Sequence, residues 1–140
     1  MSTIAKGTFD TTMEPHPPYD EADGITLARI SIHKRFAGDL EGTATVEMLS
    51  AATPVQNSAG YVAIERVSGS LDGRSGSFVL QHSGTMTRGV SELSIRVVPD
   101  SGSGDLAGLA GIMTLDHRDG RKLYTLEYTL EPAPVEPARS

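Results

Sequence analysis

Glu65 and His82 are the residues whose types and spacing come closest to acid–base chemistry. Between them lies Leu71-Asp72-Gly73-Arg74, and aspartate–glycine is a strong signal for a two-residue hairpin turn. Such a turn sets Val67 opposite Phe78, Glu65 opposite Leu80 and Ala63 opposite His82. A four-residue loop would move the register by two and put Glu65 directly opposite His82. In either register the two groups share one face with Tyr61, because side-chain direction repeats every two residues. A carboxylate on a partly apolar face must be paired, protonated or functional, since burying an isolated charge is costly. A Glu–His pair in a dry interior can move a proton, its pKa values tuned by desolvation and mutual charge. The plainer reading of the same pair is a structural ion pair.

Glu47 alternates with Thr45 and Leu49 on the preceding strand. Turned inward it joins Glu65 as a second carboxylate; turned outward it meets solvent, and the 51–58 loop leaves that choice open. Arg66 and Gln81 fall on the opposite face and read as an anion site or as surface and interface residues. In the catalytic reading Glu65 or Glu47 is the base, His82 the acid, and Tyr61 orients the substrate. Phe78, Leu80, Tyr124 and Tyr128 are the expected apolar walls.

Several other chemistries are excluded by composition. Cysteine is absent, which removes disulfides, thiolate zinc sites and cysteine nucleophiles. His16, His33, His82 and His117 are scattered without ligand spacing, so no metal is expected, and no cofactor. Gly102-Ser103-Gly104 lacks the lysine and the following helix of a phosphate loop and reads as a tight link. Twelve Lys+Arg against eighteen Asp+Glu give a net charge of −6. That balance argues against nucleic acid and against anionic lipid. His117-Arg118-Asp119-Gly120-Arg121-Lys122 reads as a solvated hairpin tip. No apolar run nears the ~20 residues of a membrane span, and the first residues lack a secretory pattern. The expected location is cytoplasmic.

The elements that must carry these residues are strands. Alternation of period two, cut by glycine, proline and aspartate, predicts eight of them near 5–13, 26–36, 42–50, 60–71, 74–86, 92–98, 111–118 and 121–130. A single helical turn is expected at 105–109. The prolines of Glu14-Pro15-His16-Pro17-Pro18-Tyr19 predict a loop. Asp119-Gly120 predicts a second hairpin, with Leu115 opposite Tyr124. Its faces separate cleanly: Met113, Leu115, Tyr124, Leu126, Tyr128 and Leu130 on one side, polar residues on the other. The Asp72-Gly73 hairpin is mixed on both sides, which predicts a second partner outside it and hence a homo-oligomer. Eight antiparallel strands with short links hide their edges by closing into an up-and-down barrel; a two-sheet sandwich is the competing architecture. One domain is expected over 5–130, with a proline-rich tail over 131–140.

Gly38-Asp39-Leu40-Glu41-Gly42-Thr43, Glu47-Met48-Leu49, and Ala59 to Val67 resemble a family of small bacterial proteins catalogued as a domain of unknown function. So do Gly73 to Gly84 and Val97 to Gly111, and the likeness runs from Lys6 to Leu130. That family is assigned to the allene oxide cyclase-like barrels, which include plant cyclases and dirigent proteins. The resemblance implies a closed barrel; it transfers no activity and no catalytic residue.

Three functions follow from these readings. One is a cofactor-independent isomerase, cyclase or lyase on a small apolar molecule, and a second is a module that only binds such a ligand. The third is a structural or partner-binding barrel. A lumen packed shut by Phe78, Leu80, Met113, Tyr124 and Tyr128 favours the third, an open pocket at Glu65 and His82 the first, and purely apolar walls the second.

Overall fold

A computed structural model of the chain describes residues 2–131. Its strands are β1 (Thr3–Pro15), β2 (Asp20–Ala22), β3 (Ile25–Gly38), β4 (Leu40–Ala52), β5 (Ala59–Leu71), β6 (Arg74–Thr87), β7 (Val90–Val97), β8 (Ser103–Gly104), β9 (Leu109–Arg118) and β10 (Arg121–Leu130). They are ordered β1-β10-β9-β7-β6-β5-β4-β3-β2, and a further β1–β3 pairing closes the sheet. Eight antiparallel strands make the barrel, while β2 lies on β3 and β8 on β6. The expected eight strands and their closure are present, most of them longer than alternation alone marked.

Both aspartate–glycine turns form as two-residue links. Asp72 and Gly73 have φ of 49° and 85°, Asp119 and Gly120 of 54° and 74°, the pair of positive values that a type I′ turn requires. The registers follow: Glu65 faces Leu80, Ala63 faces His82, and Leu115 faces Tyr124. Glu65 and His82 are therefore diagonal neighbours.

Two local expectations are corrected. Residues 105–109 hold no helix; successive turns carry Leu106 N–H to the Ser103 carbonyl (3.0 Å) and Leu109 N–H to that of Leu106 (3.1 Å). They fold Leu106 inward, where it is buried at the barrel base. Glu14 and Pro15 are not loop but the end of β1, opposite Ser31 and Ile30. A proline at the last strand position costs the ladder only one donor. The tail expected from 131 falls, from residue 132 on, outside the described residues.

Alternation decides what faces in. Odd positions of β1, β5, β7 and β9 and even positions of β3, β4, β6 and β10 fill the interior. One end is solid. Leu40, Val67, Leu71, Phe78, Leu80, Leu106, Leu109, Met113, Tyr124 and Leu126 are almost fully buried there in one continuous cluster. Each buried Leu or Phe contributes about 1.5–3 kcal/mol. The Tyr124 hydroxyl accepts from Leu40 N–H (2.8 Å) and lies against Gly7, where an added Cβ would come within 2.5 Å of it. A smaller cluster, Ile32, Val46 and Ala63 with Ile30, Met48 and Tyr61, lies toward the other end. Between the two clusters the interior is polar.

Candidate functional site

That polar layer is built by three strands. Lys34 projects from β3, Glu65 from β5 and His82 from β6, each at an inward position. Glu65 Oε1 accepts from both partners, His82 Nε2 at 2.7 Å and Lys34 Nζ at 3.0 Å. The Glu65 side chain has no exposed surface; those of Lys34 and His82 retain only 6% and 5%. Burial pushes the Glu65 carboxyl upward. The His82 hydrogen bond, the Lys34 and His82 charges and the Lys34 hydrogen bond outweigh it and hold the group below its ordinary value. A carboxylate only accepts, so the His82 proton resides on Nε2. The ammonium of Lys34 also lies 5.3 Å from the Phe9 ring and 5.8 Å from the Phe36 ring, which replaces part of its lost hydration. Glu65 Oε2 is buried with no hydrogen-bond partner, an arrangement that folded proteins seldom leave unanswered.

Above this layer the barrel opens. Met48, Ser50, Tyr61, Gly84, Met86 and Leu93 line a largely apolar cavity of about 340 Å³. Glu65 and His82 are not among its lining residues; they are buried one layer below it, with Ala63 between Tyr61 and Glu65. Tyr61 lies opposite Gly84, and its ring covers that glycine so closely that an added Cβ would come within 2.5 Å of it. His82 is the next inward residue below Gly84, and Glu65 is two inward positions below Tyr61. Burial raises the Tyr61 phenol, and the Glu65 charge raises it further.

The structure brings together Glu65, His82 and, across Ala63, Tyr61. It does not bring in Glu47. Even positions of β4 face inward, so Glu47 stands on the outer wall, where Arg29 Nε (2.8 Å) and Ser31 Oγ (2.9 Å) donate to it. Those bonds lower its pKa, the Arg29 hydrogen bond contributing most. His16 Nε2 lies 2.8 Å from Ser31 Oγ, so Ser31 links the proline-rich segment to this outer cluster. Phe78 and Leu80 are buried in the solid end. Tyr124 is too, its hydroxyl engaged with Leu40, and Tyr128 donates to Asp72 at the turn. These four are packing residues and line none of the open mouth. Lys34 was missed, although alternation carried the signal: Ile30, Ile32, Lys34 and Phe36 form one face, and only lysine breaks its apolar run. Among the described residues no group of three potential metal ligands converges.

A family model described as "Protein of unknown function (DUF3224)" matches residues 5–128. The chain belongs to this family. A crystal structure of a DUF3224 protein of unknown function from Shewanella oneidensis MR-1 is similar, at 46% identity and a TM-score of 0.91, over 95% of this chain and 100% of that one. No curated protein matches. Membership of DUF3224 brings the barrel and no chemistry, so the reading of the site rests on its side chains. No helix among the described residues is long and apolar enough to cross a membrane.

Proposed function

We propose that this barrel binds a small apolar molecule carrying one hydrogen-bonding group. The ligand enters the mouth at Tyr61, Met86 and Leu93 and turns its polar end toward His82 and Glu65. The carrying observation is the buried Glu65 Oε2, an acceptor without a donor, beneath an apolar cavity on the same inner face. A ligand hydroxyl or N–H that reaches past Ala63 from the cavity floor would answer it, and the ion pair would then orient the ligand or exchange a proton with it. The resemblance to allene oxide cyclase-like barrels supports this reading, since those relatives handle hydrophobic intermediates in a lumen. Isomerase or cyclase chemistry without a cofactor is the catalytic form of the proposal.

The solid end favours the alternative of a barrel whose lumen serves only its own stability, because Phe78, Leu80, Met113, Tyr124 and Leu126 leave it no room. A screen of small apolar alcohols, ketones and amides by NMR separates the two. Binding predicts saturable amide shifts around Tyr61 and Gly84, with affinity reduced about tenfold or more in Met86→Trp, which fills the mouth. A library that leaves those amides unmoved, or hits indifferent to Met86→Trp, would establish the filled-barrel alternative.

A further inference from the structure

A trough of about 630 Å³ crosses the outer wall over β1, β3, β4 and β5. Its floor is made of short side chains, Thr43 and Thr45 on β4, and its flanks of long ones, His33 and Arg35 on β3 and Arg66 on β5. Register explains the grouping. His33, Thr45 and Arg66 are successive partners across the three strands, and Arg35 with Thr43 form the neighbouring row. The two arginines thus flank β4 on a diagonal. Two strand spacings of about 4.8 Å and one two-residue step of about 6.8 Å separate their Cα atoms by about 12 Å, within the joint reach of two guanidinium side chains. Among the described residues neither arginine takes part in an ion pair, although the protein as a whole carries −6. Asp10, opposite Arg35, is the one carboxylate that lines the trough.

We propose that this trough is a binding site for a small phosphate-bearing molecule, a monoester or diphosphate. Guanidinium forks match the oxygens of phosphate, and the threonine hydroxyls and the imidazole add donors between them. Two guanidiniums, two hydroxyls and an imidazole offer more donors than one carboxylate can accept, whereas a terminal phosphate presents three oxygens. A nucleic-acid tract is disfavoured, because a protein of net charge −6 would repel a long phosphate chain. The site lies on the outside of the wall and is independent of the proposed ligand in the mouth.

Inorganic pyrophosphate titrated at constant ionic strength, followed by amide NMR, tests it. Saturable shifts at Thr43 and Thr45 are expected. Arg35→Gln with Arg66→Gln should weaken binding about tenfold or more, and Asp10→Asn should tighten it about threefold, the scale of one exposed charge contact. All three positions are exposed, and unchanged interior amides such as Leu80 certify the fold. Shifts that do not saturate, an unaltered affinity in the double variant, or citrate binding as tightly as pyrophosphate would overturn the proposal.

Discussion

The β5–β6 and β9–β10 hairpins share one turn chemistry and differ in what lies farther from the turn. Each is closed by aspartate–glycine with positive φ at both residues, and each pairs from the turn outward without a bulge. The β9–β10 ribbon puts Met113, Tyr124, Leu126 and Tyr128 inside and Thr114, Asp116, Thr125 and Glu127 outside, with Ile112 the one large apolar side chain exposed on that outer face. The β5–β6 ribbon adds Val67, Leu71, Phe78 and Leu80 to the same packed end, but beyond them it puts Glu65 and His82 inside and leaves Val62 and Ile64 outside, at 54% and 52% exposure. Turn geometry fixes which residues share a face and leaves open what that face is for. The first ribbon closes the barrel by packing. The second places a charged layer beneath an apolar opening, a costlier arrangement unless every charge is answered.

The largest effect should come from removing that answer. Glu65→Ala leaves Lys34 and the His82 N–H buried without their acceptor, and a loss of about 3–5 kcal/mol is expected in urea denaturation. Leu126→Ala, in the packed ribbon, should lose a comparable 2–5 kcal/mol by leaving a cavity. Repair distinguishes the two. Replacing the whole layer, Lys34→Met with Glu65→Leu and His82→Phe, should restore most of the stability, because an apolar core of similar volume needs no pairing. A triple variant as unstable as Glu65→Ala would show that the layer is not a self-contained unit and would dissolve the contrast.

The barrel, the β9–β10 register and the faces of the β5–β6 hairpin were legible because each rests on short-range rules, alternation and turn chemistry, that tertiary context did not override; the β5–β6 register was narrowed to two, of which the two-residue turn forms. The shared interior face of Glu65 and His82 followed from the same rules. Lys34 did not, since its pairing with Glu65 spans 31 residues in sequence and needs the β3–β4–β5 register to be known. The face of Glu47 was illegible for a related reason: the 51–58 loop fixes no register, and only the ladder with β5 shows that even positions of β4 turn inward. Tyr124 and Tyr128 were read correctly as interior. Their hydroxyls are held by Leu40 and Asp72, long-range contacts that make them part of the packing rather than walls of a pocket.

Acid and alkali should probe the two regions separately. The Glu65 carboxyl is held below its ordinary value of 4.5 in the fold. Its contribution is therefore complete above that value and is lost as the pH falls through the lower folded value. Tyr128 runs the other way: burial, then the hydrogen bond to Asp72 and its charge, push it from 10.0 up to about 12. Its contribution is complete below 10 and is lost as the pH rises toward 12. Denaturation midpoints across pH should show an acid limb that the layer-replacing triple variant flattens and an alkaline limb that Tyr128→Phe flattens. Exchange of those assignments, with Tyr128→Phe altering the acid limb, would mean that the packed end and the polar layer are coupled.

The smallest effect tests the outer face of the mixed hairpin. Ile64 is half exposed on the barrel exterior, opposite Glu47 and Gln81 in its two ladders. For an isolated chain, Ile64→Ser removes little buried area and should change stability by less than about 0.5 kcal/mol. The same substitution becomes costly when a second copy covers the strip, and the loss then grows with protein concentration by mass action. Denaturation of wild type and variant at two concentrations a hundredfold apart separates the cases. A small, concentration-independent difference assigns the apolar exterior of β5 to solvent. A larger difference at the higher concentration assigns it to a homo-oligomer, and the mixed hairpin then has a buried face on each side of the wall, where its packed counterpart has one.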